Sequence, residues 1–269
     1  MRKYTKTVGA VAAASALVAG YASAEIEGEV HVGYANEYEF RFVDIGSDLV
    51  EAGVDLSYQI NDDFGLSAGA WYGTWNAPNI VNGVSKLLGG PSSLNQTELD
   101  LYAAVNTDLG PVNFELGYIY YAFPNGGGDT QEVYLAASVD LWWGLTAGST
   151  FYYDFDANNG WYWNNEIGKS FEFNECLSLD LAAGFAFADG MNTQVSNTFL
   201  TNGSSDGFQG WYVSAALPWE FRDGVTLTPY VKYADADSDL VTNYPYAGGT
   251  GALGGANQLI AGVKLAVGF

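Results

Sequence analysis

From Ile26 onward the chain alternates apolar and polar residues one by one, the period of a β-strand whose two faces meet different surroundings. Ile26, Gly28, Val30, Val32 and Tyr34 fall on one face, and Glu27, Glu29, His31 and Gly33 on the other. The alternation recurs over Val54–Ile60, Glu98–Asn106, Val112–Tyr118, Glu132–Asp140, Leu177–Phe187 and Leu259–Phe269. Weaker versions cover Leu66–Trp75, Leu145–Phe155, Trp161–Phe173, Gly210–Leu217 and Val225–Tyr233. Together they predict about twelve strands, and an even count suits a closed single-chain barrel. No long segment carries a 3.6-residue apolar period.

The predicted connections also alternate, in length. Those at Asn61–Gly65, Thr107–Pro111, Trp142–Gly144, Asn174–Cys176 and Pro218–Gly224 are short. Those at Asn76–Gln96, Ala188–Gly207 and Asp235–Ala256 are long and rich in Gly, Asn and Ser. Short turns at one end and long loops at the other are the layout of an outer-membrane barrel, with the short end in the periplasm. A soluble β-sandwich alternates too, but has no reason to keep its long loops at one end or its aromatic residues at strand ends. Here aromatics crowd those ends: Trp71, Tyr72 and Trp75; Tyr118, Tyr120, Tyr121 and Phe123; Trp142 and Trp143; Phe151, Tyr152 and Tyr153; Trp161, Tyr162 and Trp163; Trp219 and Phe221. Rings at both water–lipid borders are expected to form two girdles. The expected fold is all-β, a transmembrane antiparallel up-and-down β-barrel.

The N-terminus adds a destination. Arg2, Lys3 and Lys6 precede an apolar stretch from Val8 to Gly20 and then Ala22-Ser23-Ala24, the three-part layout of a cleavable secretory signal. That stretch is too short to span a bilayer as a helix. We therefore expect a signal peptide over residues 1–24, a single barrel domain over 25–269, and residence in the cell outer membrane after passage through the periplasm.

Charge narrows the partners. Beyond the leader, Arg41, Lys86, Lys169, Arg222, Lys232 and Lys264 face 31 acidic residues, a balance that repels nucleic acid. An aromatic content of 16% speaks against acidic disorder. The lone Cys176 has no partner for an internal disulfide. With an apolar face toward lipid, parity places Glu27, Glu29, His31, Asp55, Glu98, Asp100, Glu115, Glu132, Asp140, Asp180, Lys232 and Lys264 toward the lumen. Carboxylates ringing a pore favour cations or neutral solutes over anions. Tyr102 and Tyr134 share that face and are expected to narrow it.

Several segments resemble the Gcw_chp or TorF-type porin family of Gram-negative outer-membrane proteins. They are Asn36-Glu37-Tyr38-Glu39-Phe40-Arg41, Gly69-Ala70-Trp71-Tyr72-Gly73-Thr74-Trp75-Asn76, Glu98-Leu99-Asp100-Leu101-Tyr102, Leu116 to Pro124, Glu132-Val133-Tyr134 and Tyr152-Tyr153-Asp154-Phe155. The resemblance covers most of the chain beyond the leader and implies a barrel in the outer membrane without a settled substrate. Phe42 stands where the family has Gly after the Arg, which disfavours the tight turn expected there. The terminal Phe269 looks like the signal read by the barrel-assembly machinery.

The expected function is therefore a porin-like channel for passive diffusion of small cationic or neutral solutes, monomeric or in a loose oligomer. The alternative is a closed barrel with a structural or surface-binding role through its outer loops. An outer-membrane hydrolase on Ser57, His31 and Glu29 is remote, because no nucleophile motif surrounds any serine. No enzyme activity, catalytic residue or cofactor is expected. One His and one Cys cannot supply a Cys/His zinc site. Asp154 to Gly160 begins like a calcium loop, with its Gly one place late and Glu166 one place beyond the closing carboxylate, and Asp235-Ala236-Asp237-Ser238-Asp239 repeats the alternation without Gly. Both read as solvated outer loops. Gly126-Gly127-Gly128 and Gly248-Gly249-Thr250-Gly251 lack the Lys and strand-to-helix setting of a phosphate loop. Membrane lipid and lipopolysaccharide are the remaining expected partners.

Overall fold

The computed structural model describes residues 26–77, 95–125, 128–191, 206–237 and 257–269. The expected leader, most of the three long loops, Gly126, Gly127, Lys86, Ser238, Asp239 and the glycines of 248–251 lie outside the described residues. The strands are β1 (Ile26–Phe40), β2 (Val43–Gln59), β3 (Phe64–Asn76), β4 (Asn95–Leu109), β5 (Val112–Ala122), β6 (Thr130–Asp140), β7 (Leu145–Asp154), β8 (Gly160–Asn174), β9 (Leu177–Asp189), β10 (Gly207–Ala216), β11 (Trp219–Arg222), β12 (Val225–Ala236) and β13 (Asn257–Gly268). Trp142–Gly144 adds one 3-10 turn. Neighbours pair antiparallel in chain order, and β13 pairs with both β12 and β1, which closes the sheet into a barrel.

Thirteen segments make twelve wall positions, because β10 and β11 are two parts of one strand, each flanked by β9 and β12. The break is Leu217-Pro218, where proline has no N–H to give. Its carbonyl still accepts from Ser178 N at 3.2 Å, and Leu217 N donates to Pro229 O at 2.9 Å, so the ladder runs through. The expected turn over Pro218–Gly224 thus shrinks to Asp223-Gly224, where Gly224 has φ 71°.

The connections at 60–63, 110–111, 141–144, 175–176 and 223–224 gather at one end of the barrel, together with Ile26 and Phe269. There Phe269 and Gly28 exchange two backbone hydrogen bonds of 2.9 Å, which builds the last residue into the wall. Outward side chains are apolar and exposed, among them Val32, Leu56, Leu101, Leu116, Leu135, Ile167, Val213 and Leu259. A closed barrel leaves no sheet edge, and an apolar outer belt is what lipid requires of it. Trp142 and Trp143, 70% and 78% exposed, mark one border, and Tyr72, Tyr118, Phe151, Tyr153 and Trp163 face outward nearer the other. The expected girdles need correction, however: Trp71, Trp75, Tyr121 and Tyr162 are buried inside, with Tyr152 and Phe123 packed against interior clusters.

The first hairpin departs from the wall. β1 pairs with β13 only as far as Ala35↔Gly262, while its pairing with β2 continues to Phe40↔Val43. Where β1 leaves, the Asn36 side chain takes its place: Nδ2 donates to Leu259 O at 3.1 Å, and Oδ1 accepts from Ala261 N at 2.6 Å. On the other edge a bulge interrupts the β2–β3 register between Ser47 and Val50, and Trp75 Nε1 donates to Ile45 O at 2.9 Å. Bulges re-aim strands, and this one turns the hairpin inward. At its tip Arg41 and Phe42 have φ 53° and 69°, the two positive values that a two-residue type I′ turn requires. The tight turn therefore forms without a glycine after Arg41. Holding two bulky residues there costs about 1–3 kcal/mol each, which the tip must recover in contacts.

Asn36→Ala removes both bonds to β13 and is expected to cost about 1–2 kcal/mol. A lowered midpoint of urea unfolding, followed by tryptophan fluorescence of the folded barrel, is the readout.

Candidate functional site: the barrel interior

The hairpin tip crosses the barrel. Arg41 meets Glu132 of β6 through two hydrogen bonds of 2.7 and 2.6 Å, one from each terminal nitrogen. Its guanidinium lies 4.8 Å from the Phe40 ring centroid, 5.1 Å from Tyr152 and 4.6 Å from Tyr162. Tyr121 OH donates to the same Glu132 at 3.1 Å. Both charges are buried, and only bidentate pairing with extra donors and ring faces makes such burial tolerable.

Other tip residues reach the remaining walls. Phe42, 3% exposed, packs among Tyr162, Ala186, Ala188, Tyr212, Ala234 and Ala236 of β8, β9, β10 and β12. Its carbonyl accepts from Gln258 Nε2 of β13 at 2.9 Å. Glu39 ion-pairs with Lys232 of β12. Tyr38 donates to Glu98 of β4 at 2.9 Å and packs against Trp71 and Trp75. The four alanines supply the space that Phe42 fills. The expectation that Lys232 and Lys264 alone oppose the interior carboxylates is thus corrected by Arg41.

Three interior tyrosines follow one rule. Asp55, Gly69 and Tyr102 stand side by side on β2, β3 and β4, and Tyr102 donates to Asp55 across the glycine. Glu166, Gly184 and Tyr212 repeat this on β8, β9 and β10, with a 2.6 Å bond. Tyr134 lies over Gly117 and donates to Glu115 at 2.6 Å. A Cβ on Gly69, Gly117 or Gly184 would come within 2.5 Å of the ring it carries, so each glycine is what lets its tyrosine lie flat. Tyr102 and Tyr134 therefore run along the wall rather than projecting to narrow the lumen.

The other predicted residues are placed as follows. Glu98, Asp100 and Glu132 are buried on neighbouring interior positions of β4 and β6, close to the hairpin. Asp180 accepts from Ser170 at 2.6 Å and the exposed Asp140 from Thr146 at 2.9 Å, both toward the end with short turns. Glu27 is exposed at that same end. Glu29 lies 3.8 Å from Lys264 and 4.0 Å from His31, whose Nδ1 is 3.5 Å from Asp55. Arg41, Glu39 and Glu166 join them as interior charges that parity did not single out. For Glu166 the signal was present in the weak alternation of Trp161–Phe173; for Arg41 there was none, because a turn has no parity.

Two chemical readings fall away. Among the described residues Ser57 Oγ and His31 Nδ1 have no hydrogen-bond partner, so Ser57 and His31 form no relay in this structure. The Asp154 carboxylate is saturated by the start of β6 and by its own loop, accepting from Thr130 Oγ1, Asp156 N, Asn158 N and Asn158 Nδ2 at 2.6–3.1 Å. Glu166, turned inward to Tyr212, is out of reach as a closing ligand.

No protein-family model matches the chain, and no curated protein matches it. Solved structures do. An outer-membrane channel from Pseudomonas putida F1 aligns with a TM-score of 0.52 and 11% identity over 91% of this chain and 95% of that one. The KdgM porin aligns at 0.49 with 9% identity, over 90% and 99%, and the NanC porin at 0.48 with 13%, over 90% and 98%. Identities this low speak for fold alone, and the chain has the fold of a twelve-stranded outer-membrane β-barrel.

Glu132→Gln leaves Arg41 buried without its counter-charge and is expected to destabilise the barrel by about 3–5 kcal/mol, whereas replacing both partners with apolar residues costs far less. A double-mutant cycle in denaturant with Arg41→Met and Glu132→Leu measures the difference.

Proposed function

We propose that this chain is an outer-membrane channel of small bore through which small cationic or neutral solutes diffuse passively, its narrowest section set by the β1–β2 hairpin. The observation that carries this reading is the interior itself. Carboxylates outnumber cations on the inward face, Tyr102, Tyr134 and Tyr212 lie flat against the wall, and Gly148 of β7 looks onto space, with none of the described residues within 4 Å of where a Cβ would stand. An acidic lining raises the local concentration of cations and repels anions. In this reading residues 1–24 are a signal peptide, 25–269 the mature domain, and Phe269 the residue read by the assembly machinery. Lipid and lipopolysaccharide surround it in the outer membrane, and the Gcw_chp or TorF-type resemblance supplies its family.

A second reading has an observation of its own. The hairpin touches walls on all sides, and Phe42 and Glu132 are almost wholly buried, which favours a barrel closed at rest with a structural or surface-binding role.

Single-channel recording of the refolded chain in a planar bilayer under a potassium chloride gradient separates the two. The channel reading expects small, steady, cation-selective steps, with selectivity reduced by Glu115→Gln and Asp180→Asn and conductance raised severalfold when the hairpin tip is shortened. Chloride preference would overturn it. Silence of the intact chain, with conduction only after shortening, selects the closed barrel.

A further inference from the structure

Glu29, His31 and Asp55 place three ligand atoms within 4.8 Å of one another, deeper in the barrel than the hairpin tip. The cluster crosses two strands, Glu29 lying opposite Asp55 and His31 opposite Gly53. His31 is 8% exposed and Asp55 2%. Asp55 Oδ1 accepts from Tyr102, but among the described residues Oδ2 has no hydrogen-bond partner, and neither has His31 Nδ1, the two facing each other at ion-pair distance, 3.5 Å apart. Buried polar atoms are rarely left unpaired, and two that face each other across a gap call for something between them.

The imidazole is oriented for the task. Its ring rests on Gly53, where even a Cβ would come within 2.4 Å of Cε1 and 2.6 Å of Nε2. That fixes the Nε2 edge against the neighbouring strand and turns Nδ1 toward the carboxylates. Tyr102 in turn holds Asp55 by one oxygen and leaves the other free.

We propose that Glu29, His31 and Asp55 form a binding site for a divalent d-block cation, of which zinc is the reference. One imidazole nitrogen and two carboxylates suit zinc, iron, manganese or nickel better than the all-oxygen shells of calcium and magnesium. Three protein ligands leave a fourth position for water or solute. Lys264, 3.8 Å from Glu29, competes for that carboxylate and tempers the affinity. The site stands whether or not the barrel conducts.

His31 is the only histidine in the chain, so a tag-free barrel refolded with 15N-histidine reports on the site through one imidazole. Added to the chelator-treated barrel, Zn2+ is expected to shift that signal with saturation at one equivalent, and equimolar Mg2+ to leave it in place. Groups that merely orient a ligand are worth about 10–100-fold in affinity, so Asp55→Asn and Glu29→Gln should each weaken binding about tenfold or more. Asp55→Asn keeps an oxygen for Tyr102, and Glu29→Gln alters a partly exposed residue, so one variant serves if the other fails to fold. An imidazole signal unmoved by Zn2+, or moved equally by Mg2+, overturns the proposal, as does unchanged affinity in the variants.

Discussion

Every backbone amide in a membrane-spanning wall must find its partner within the protein, because hydrocarbon offers none. Closure of β13 onto β1 satisfies this around most of the barrel, and the rest of the structure is arranged about the one place where it fails. Turning the first hairpin inward removes two strand ends from the wall and frees a stretch of β13 and of β2. The side chains of Asn36, Trp75 and Gln258 then act as replacement backbone, each donating to a main-chain carbonyl and Asn36 also accepting from an amide. Without those three residues the inward fold would leave main-chain polar groups unpaired.

The same displacement explains the interior charges. A guanidinium carried from the rim to the middle of a barrel loses its hydration, so it must arrive at a preformed acceptor. Glu132 is that acceptor, itself steadied by Tyr121, and the rings of Phe40, Tyr152 and Tyr162 cover the remaining faces of Arg41. Trp71, Trp75, Tyr121, Tyr152 and Tyr162, which their place near strand ends alone would assign to the membrane borders, stand on the inward face and pack in these interior clusters.

How much of this was legible in the sequence follows from what alternation encodes. It reports which face a residue occupies while the chain stays in the wall, so the strands, the closure and the inward placement of His31, Asp55 and Glu98 could be reasoned out. It is silent on depth and on departures. Still, Asn36, Asp44 and Asp48 sit at positions where alternation would set them against lipid, and three polar residues there mark a segment that has left the lipid face. The pairing of Glu29 with Asp55 was hidden for another reason: it depends on register, which a one-residue slip would destroy. Pro218 misled because proline ordinarily ends a central strand, whereas here only one ladder bond is lost and its neighbours close around it.

The chemistry chosen for the hairpin bears on whether it is a permanent plug. An apolar tip would gain about 25 cal/mol for each Å² buried and stay put. A buried ion pair gains little net stability over the same groups in water, since attraction and lost hydration nearly cancel, yet it fixes position closely. The two positive φ values at Arg41 and Phe42 add strain that leaving the interior would not relieve by itself, because the turn is local. Apolar retention rests on Phe42 in its alanine-lined recess, worth about 1.5–3 kcal/mol for one buried aromatic side chain, and on Tyr38 against Trp71 and Trp75. The hairpin is thus anchored by buried rings and positioned by paired charges, a chemistry that fixes where it sits more than it adds to net stability.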